Sequence, residues 1–270
     1  MKERCGARGG LARSPPLWYR SAAVYRLRRP LWALLPLWAT AGLAALMPDA
    51  AAKKAGCPDD MALVDGRYCI DRHEAAVVEV LGKNKTRPHP HYESVKGLRV
   101  RAVSKKGVFP QGYISRNEAE GACKEAGKRL CQDDEWLHAC KGKKPTLYPY
   151  GDEHKKGHCN DAGLSPLNHF FGEKAGDDRY TWAAMNDPRL NQLKGGLQRT
   201  GALGKCRNSY KVHDMVGNLH EWTAAVNGTF RGGYYLDTKI NGEGCDYKTT
   251  AHEPNYHDYS TGFRCCKDAR

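Results

Sequence analysis

The chain has no pair of cysteines at CxxC spacing, so its eleven cysteines do not read as metal knuckles. It has no apolar run long enough for a firm membrane span. The longest, Leu31 to Leu46, is 16 residues, short of the ~20 a spanning helix needs. Acids are the scarcer charge, 30 against 43 bases, yet no basic stripe interleaved with aromatics marks a nucleic-acid surface. No Pro- or Ser-rich linker divides the chain after its first fifty residues. The C-terminal half shows neither a heptad nor a sustained two-residue alternation. Coiled coil and long regular strands are thereby excluded there.

The first fifty residues are of another kind. Eight Lys or Arg lie among the first 29 residues against one acid, Glu3, and the apolar run and Ala50-Ala51-Ala52 follow. A basic stretch, a short apolar stretch and small residues at −3 and −1 form a signal peptide, residues 1–52, with cleavage expected after Ala52. The alternative is a retained membrane anchor. Without residues 1–52, which hold eight bases and two acids, the net charge of +13 falls to +7. Much of the basic character therefore belongs to the leader. Residues 53–270 are expected to form a single domain with enough chain for one sizeable core. Ten cysteines remain there, an even set that reads as disulfides in an exported chain, periplasmic or extracellular.

Along the domain, Met61–Val64 and Arg67–Ile70 around Asp65-Gly66 predict a hairpin with a two-residue turn. Cys57 and Cys69 flank it as a staple. Residues 83–91, with Lys, Pro and two histidines, read as loop. Ser115 and Glu118 make a capping box, and Ala119, Ala122, Cys123 and Ala126 recur at helical spacing up to a stop at Gly127. A second helix is expected from Asp133 to Cys140, with three acids at its positive end and Gly142 after it. From Tyr148 to Asn208 turn residues dominate. Cys159 and Cys206 flank that variable stretch and are a candidate pair.

The stretch from His213 to Cys266 organises the rest. It reads HDMVGNLHEWT, FRGGYYLD, NGEGC and STGFRCC, with glycine wherever the backbone turns tightly. MVGNLHEW, FRGGYY and GFRC, preceded by ACKEAGKRL, DDEWLHACKG and YPYGD in that order, resemble the formylglycine-generating enzyme (sulfatase-modifying factor) family over roughly Cys57 to Cys266. The resemblance implies an α+β formylglycine-generating-enzyme fold, a relative of the C-type-lectin fold. Two short helices, a small twisted sheet and much irregular, disulfide-stapled structure are expected. It also implies a bond between Cys140 and Cys265, positions joined in the family enzymes.

The family's founding activity is oxygen-dependent conversion of a substrate cysteine to formylglycine at a copper(I) site of two cysteines, a soft site that needs thiolates. Carried over to this chain, the first cysteine's position holds Asp237. Cys245 matches the second, and Tyr234 replaces the serine after the two glycines. A rebuilt site would comprise Cys245, Asp237, Trp222 and Tyr234, with Arg231 nearby, and Cys131 or Cys266 are the candidates to complete a thiolate pair. The other reading of Cys245 is half of a disulfide. The resemblance further implies structural calcium at Asn218 and Glu221, with Asn160 beginning a second loop of that kind. Calcium suits irregular loops rich in hard oxygen. His213, His220, His252 and His257 form a further candidate set for iron or copper, without HxxxH or HExxH spacing among them. Two function classes remain: an exported thiol oxidase acting on a protein or peptide substrate, or a non-catalytic binding module for peptide or glycan. Neither calls for nucleic acid or for a stable membrane span after cleavage.

Overall fold

The computed structural model describes residues 56–173 and 176–270. The leader, its apolar run and the expected cleavage point after Ala52 lie outside the described residues. Among the described residues no helix is long and apolar enough to cross a membrane.

Strands β1 (Met61–Val64) and β2 (Tyr68–Asp71) pair antiparallel. Val64 faces Tyr68, so the loop has three residues rather than the two expected, and Asp65 and Gly66 both take positive φ, 46° and 71°. The chain then forms β3 (Ala75–Gly82), β4 (Lys85–Pro88) and β5 (Val100–Ser104), a separate antiparallel sheet in the order β4-β3-β5. β3 alternates buried and half-buried residues, the period of a strand with one face covered. β4 is exposed throughout, and its lysine and proline blunt the free edge. The reading of residues 83–91 as loop is thus corrected at β4. Pairing with β3 overrode the proline, which sits at the strand's end where no ladder donor is needed.

Helix α1 (Arg116–Glu125) starts as its capping box dictates: Ser115 accepts from the Glu118 N–H, and the Glu118 carboxylate accepts from the Ser115 N–H at 2.8 Å. β6 (Arg129–Leu130) leads into α2 (Asp133–Lys141), which buries Trp136, Ala139 and Cys140 and stops at Gly142. Two short helices follow in the stretch expected to be turns, α3 (Pro166–Phe171) and α4 (Trp182–Met185), each capped by the side chain before it, Ser165 and Thr181. The last third supplies β7 (His220–Trp222), β8 (Phe230–Arg231), β9 (Lys248–Thr249), β10 (Thr261–Phe263) and β11 (Cys265–Asp268). These strands complete two four-stranded sheets, β1-β2-β11-β6 and β10-β7-β8-β9.

Three apolar clusters fill the space. The first gathers Ile70, Trp136, Tyr148 and Val216 with Cys131, Cys140, Cys245 and Cys266. The second gathers Val77, Ile114, Trp222, Phe230 and Phe263 with Cys123 and Cys265. The third holds Tyr113, Leu190, Tyr235 and Tyr259. Five disulfides tie the described residues: Cys57–Cys69, Cys123–Cys265, Cys131–Cys266, Cys140–Cys245 and Cys159–Cys206. The first and last are as expected. The expected Cys140–Cys265 bond is corrected, and strand alternation gives the reason. Cys265 and Cys266 are neighbours on β11, so their side chains enter opposite faces. Cys265 points into the cluster of α1 and bonds Cys123, while Cys140 lies in the other cluster, with its Cα 5.7 Å from that of Cys245. Cys131 and Cys266 bond each other, so neither completes a pair with Cys245.

Candidate functional site

The loop before β7 converges on a buried polar centre. Arg264, with no exposure, grips Glu221 through two bonds of 2.5 Å, Nε to Oε2 and Nη2 to Oε1. Trp136 Nε1 donates to the same carboxylate at 2.7 Å. The guanidinium is completed by the carbonyls of Asp71 and His213. Asn218 takes positive φ, 62°. Its Nδ2 donates to Glu74, and its Oδ1 accepts from Asn160 Nδ2 and Gln198 N. The preceding Gly217 has to be glycine: a Cβ there would lie 2.1 Å from the Asn160 carbonyl oxygen. Glu74 is fully buried. Burial, with the neighbouring carboxylates of Asp214 and Glu221, holds its pKa well above the usual range. Asp214, which accepts from Gly201 N, is pushed up to about 6 by burial.

Calcium was expected at Asn218 and Glu221. The donor set as placed does not fit it. Both Glu221 oxygens are held by a guanidinium, and the one Asn218 oxygen already receives two N–H groups. A hard cation needs oxygen donors free to face it, and neither of these side chains offers one.

The four residues of the expected rebuilt site are only partly brought together. Tyr234 and Asp237 close a tight turn, exchanging backbone bonds of 2.9 and 3.0 Å, and Gly233 lets Asp237 come close, since a Cβ would stand 2.2 Å from its carbonyl. The Asp237 carboxylate acts as a turn cap. Oδ1 accepts from the N–H groups of Lys239 and Ile240, and Oδ2 accepts from the Tyr247 hydroxyl at 2.9 Å. Asp237 also edges a polar hollow of about 330 Å³ with His154, whose ring is held 2.6 Å from Asp161. Trp222 is elsewhere, fully buried, donating to the Ile114 carbonyl and set edge-on to Phe230. Cys245 has no exposure, and its sulfur is bonded to Cys140. Copper(I) is therefore offered no thiolate, and the residues present do not fit it.

The four candidate histidines do not converge either. His213 stacks on His73 at 5.0 Å; His220 is buried against Phe230, Tyr234 and Tyr247; His252 stacks on Phe230; His257 bonds Asn186. Burial drives His220 down to about 3 and, with nearby cations, His73 and His213 down to about 4, so all three are neutral at pH 7. Among the described residues no group of three His, Cys, Asp or Glu could hold a metal ion.

One feature went unread in the sequence. A cleft opens between the β4-β3-β5 sheet and the loop around residues 191–199, as two cavities of about 570 and 420 Å³. They share a wall made by His91 and Phe109, stacked at 4.4 Å and 16°. The Arg199 guanidinium sits 4.4 Å from the Phe109 ring centre, and His91 Nε2 is fixed by the Asn191 carbonyl. Burial lowers the His91 pKa and Arg199 adds to it, so this ring too is neutral. The residues lie about a hundred positions apart, and only the valine-rich run AAVVEV hinted at the strand beneath them.

Residues 67–269 match the sulfatase-modifying factor enzyme 1-like domain. The chain is 28% identical over 179 residues to the inactive C-alpha-formylglycine-generating enzyme 2 of Bos taurus, covering 62% of this chain and 53% of that protein. It is 28% identical over 212 residues to the formylglycine-generating enzyme of Mus musculus, covering 66% of this chain and 51% of the other. The chain thus spans about half the length of these curated relatives. Among solved structures, PvdO from Pseudomonas aeruginosa superposes with a TM-score of 0.44 at 13% identity, covering 74% of this chain and 80% of that one. With the α+β architecture and the stapled irregular C-terminal half in place, the family match decides the matter: this chain belongs to the sulfatase-modifying factor enzyme 1-like domain family.

Proposed function

We propose that this chain is an exported, disulfide-stapled member of the family that has given up two-cysteine copper chemistry and works by binding a protein or peptide. The observation that carries this reading is the Cys140–Cys245 bond, with both sulfurs in the core at zero exposure. Asp237 supports it, because a hard oxygen that caps a turn stands where the family places its first thiolate. Two of the similar proteins, from Bos taurus and Mus musculus, are themselves named inactive. Five disulfides favour an oxidising compartment, and with it export.

Thiol titration of the unreduced, denatured protein is the first test, and no free thiol is expected from the ten domain cysteines. Copper(I) titration and oxygen uptake with a cysteine peptide follow, and both should match a blank. Two free thiols that bind one copper(I), with turnover lost in Cys245→Ser, would replace this reading with the oxidase one. Export is checked by N-terminal sequencing of the protein recovered outside the cytoplasm. A chain beginning at Lys53 is the expected result, and one that keeps Leu31–Leu46 would mean an anchor.

A further inference from the structure

We propose that the cleft divided by His91 and Phe109 is the docking site of an extended, acidic segment of another protein, with an apolar side chain entering each cavity. This rests on the reading that the chain acts by binding, and it names the partner's chemistry. Shape is the first argument. Two cavities on either side of one aromatic wall suit an extended strand, whose side chains at i and i+2 point the same way. Their walls are apolar, with Val77, Val103 and Val108 on one side and Leu193 and Leu197 on the other. Each falls within the ~300–1,000 Å³ of typical ligand pockets.

Charge is the second argument. Lys105, Lys194 and Arg199 line the two cavities and are exposed, and no carboxylate lines either one. Glu79, next to the lining residue Val78 on β3, is already taken by Arg87 and His89. Arg199 spends Nη1 on the Gly107 carbonyl, and its ring-stacked guanidinium keeps its remaining N–H edge for a planar anion. The same charge rules out two other occupants. The chain's own first 29 residues carry eight bases and one acid, and a second copy is basic as well, at +7 without residues 1–52. A bilayer is excluded by form, because a membrane receives protruding apolar side chains and these cavities are recessed.

The cleft is also rigid where it matters and free where it must adapt. The wall is pinned by His91 Nε2 to the Asn191 carbonyl, and Asn191 Nδ2 is pinned to the Tyr259 carbonyl at 2.7 Å. Yet residues 70–122 and 160–205, which supply every lining residue, contain no cysteine.

Fluorescence anisotropy on the oxidised protein tests the proposal. The probes are labelled nine-residue peptides, acidic except for Phe, Trp or Leu at positions 4 and 6, with lysine-substituted and single-apolar versions as controls. At least one acidic peptide should bind, more weakly as salt rises. Arg199→Glu should weaken it tenfold or more, and Phe109→Ala should do likewise, with the Arg199→Glu melting temperature unchanged because that side chain is exposed. The proposal falls if no acidic peptide binds, if the lysine versions bind as well, or if Arg199→Glu has no effect. It also falls if myristate binds the cleft while the peptides do not, which would make the occupant a small amphiphile. None of the probes contains cysteine, so copper-dependent oxidation in the separate assay would overturn the broader reading without altering these curves.

Discussion

The region built on β2, β11, α1 and α2 and the region facing it, from β3 to β5 and across residues 160–205, are held by different means. In the first, disulfides and a fully buried Arg264–Glu221 pair fix the backbone. In the second there is no cysteine, and the edge strand β4 is wholly exposed. Cys245 lies in the first region, where its sulfur is consumed as a staple. The docking cleft lies in the second. Covalent staples thus hold the region of Cys245, while the proposed docking cleft is held by hydrogen bonds and side-chain packing alone.

That contrast can be broken most directly by removing staples. Opening Cys123–Cys265 and Cys131–Cys266 together by serine substitution should cost ~6 kcal/mol by chain-entropy reasoning, because with Cys140–Cys245 intact the two bonds close loops of about 30 and about 10 residues. Cys57→Ser with Cys69→Ser, separated by 12, should cost ~3 kcal/mol. Urea unfolding of the quadruple and the double variant checks the order, and equal losses would mean that loop closure is not what the two bonds to β11 supply.

Arg264→Met should cost about 3–5 kcal/mol, because it leaves Glu221 charged in a dry site beside Glu74 and Asp214. Adding Glu221→Leu should restore most of the loss. No rescue would locate the damage in the Asp71 and His213 carbonyls that the guanidinium also serves.

Acid sharpens the comparison next. His73 and His213 titrate near pH 4 in the fold against 6.5 in the open chain, burial being the main cause and Arg72, Lys106, Arg207 and Arg264 adding to it. The unfolded chain takes up these protons first. Their contribution is therefore complete above about pH 6.5 and lost as pH falls toward 4. Asp214, raised to about 6, works the other way, its contribution fading as pH rises through that value. His213→Phe keeps the ring stack and removes one of the acid losses. Its melting temperature should drop less than the parent's between pH 7 and pH 5.

The smallest effect is expected in the unstapled region. Phe109→Ala, at a half-buried wall, should cost only about 1 kcal/mol, although it should cripple peptide binding. A loss several times larger would make the wall part of the core and not of a site.

Much of the stapled region was legible because its signals are local. Ser115 with Glu118 fixed where α1 starts, and Cys57 and Cys69 flank a hairpin that brings them together. The Cys140 partner was not legible, since two adjacent cysteines on β11 differ only in which face they enter. Nothing in the sequence separates those faces until β2 and β6 pair with the strand. β3 and β5 were legible only as short valine-rich runs: burial alternates along both strands, but AAVVEV and VRAVS carry no apolar–polar alternation that announces it. The cleft was not, because His91, Phe109 and Arg199 meet only through the tertiary fold. At Asp237 the residue type alone announces a hard oxygen, while its duty as a turn cap depends on backbone N–H groups that no pattern announces.

The adjacent pair on β11 has a consequence for the order in which the molecule can be made. Cys265 and Cys266 come after every other cysteine in the chain, yet their partners, Cys123 and Cys131, lie near the middle. A chain emerging from its N-terminus carries both partners as exposed thiols through more than a hundred residues of synthesis, with Cys140, Cys159 and Cys206 available for wrong bonds. Cys57–Cys69 can close early, but neither the cluster behind α1 nor the one behind α2 can be sealed until β11 slides between β2 and β6. The domain's last strand is its keystone, and assembly in the cell should be timed by thiol–disulfide exchange rather than by collapse of the chain.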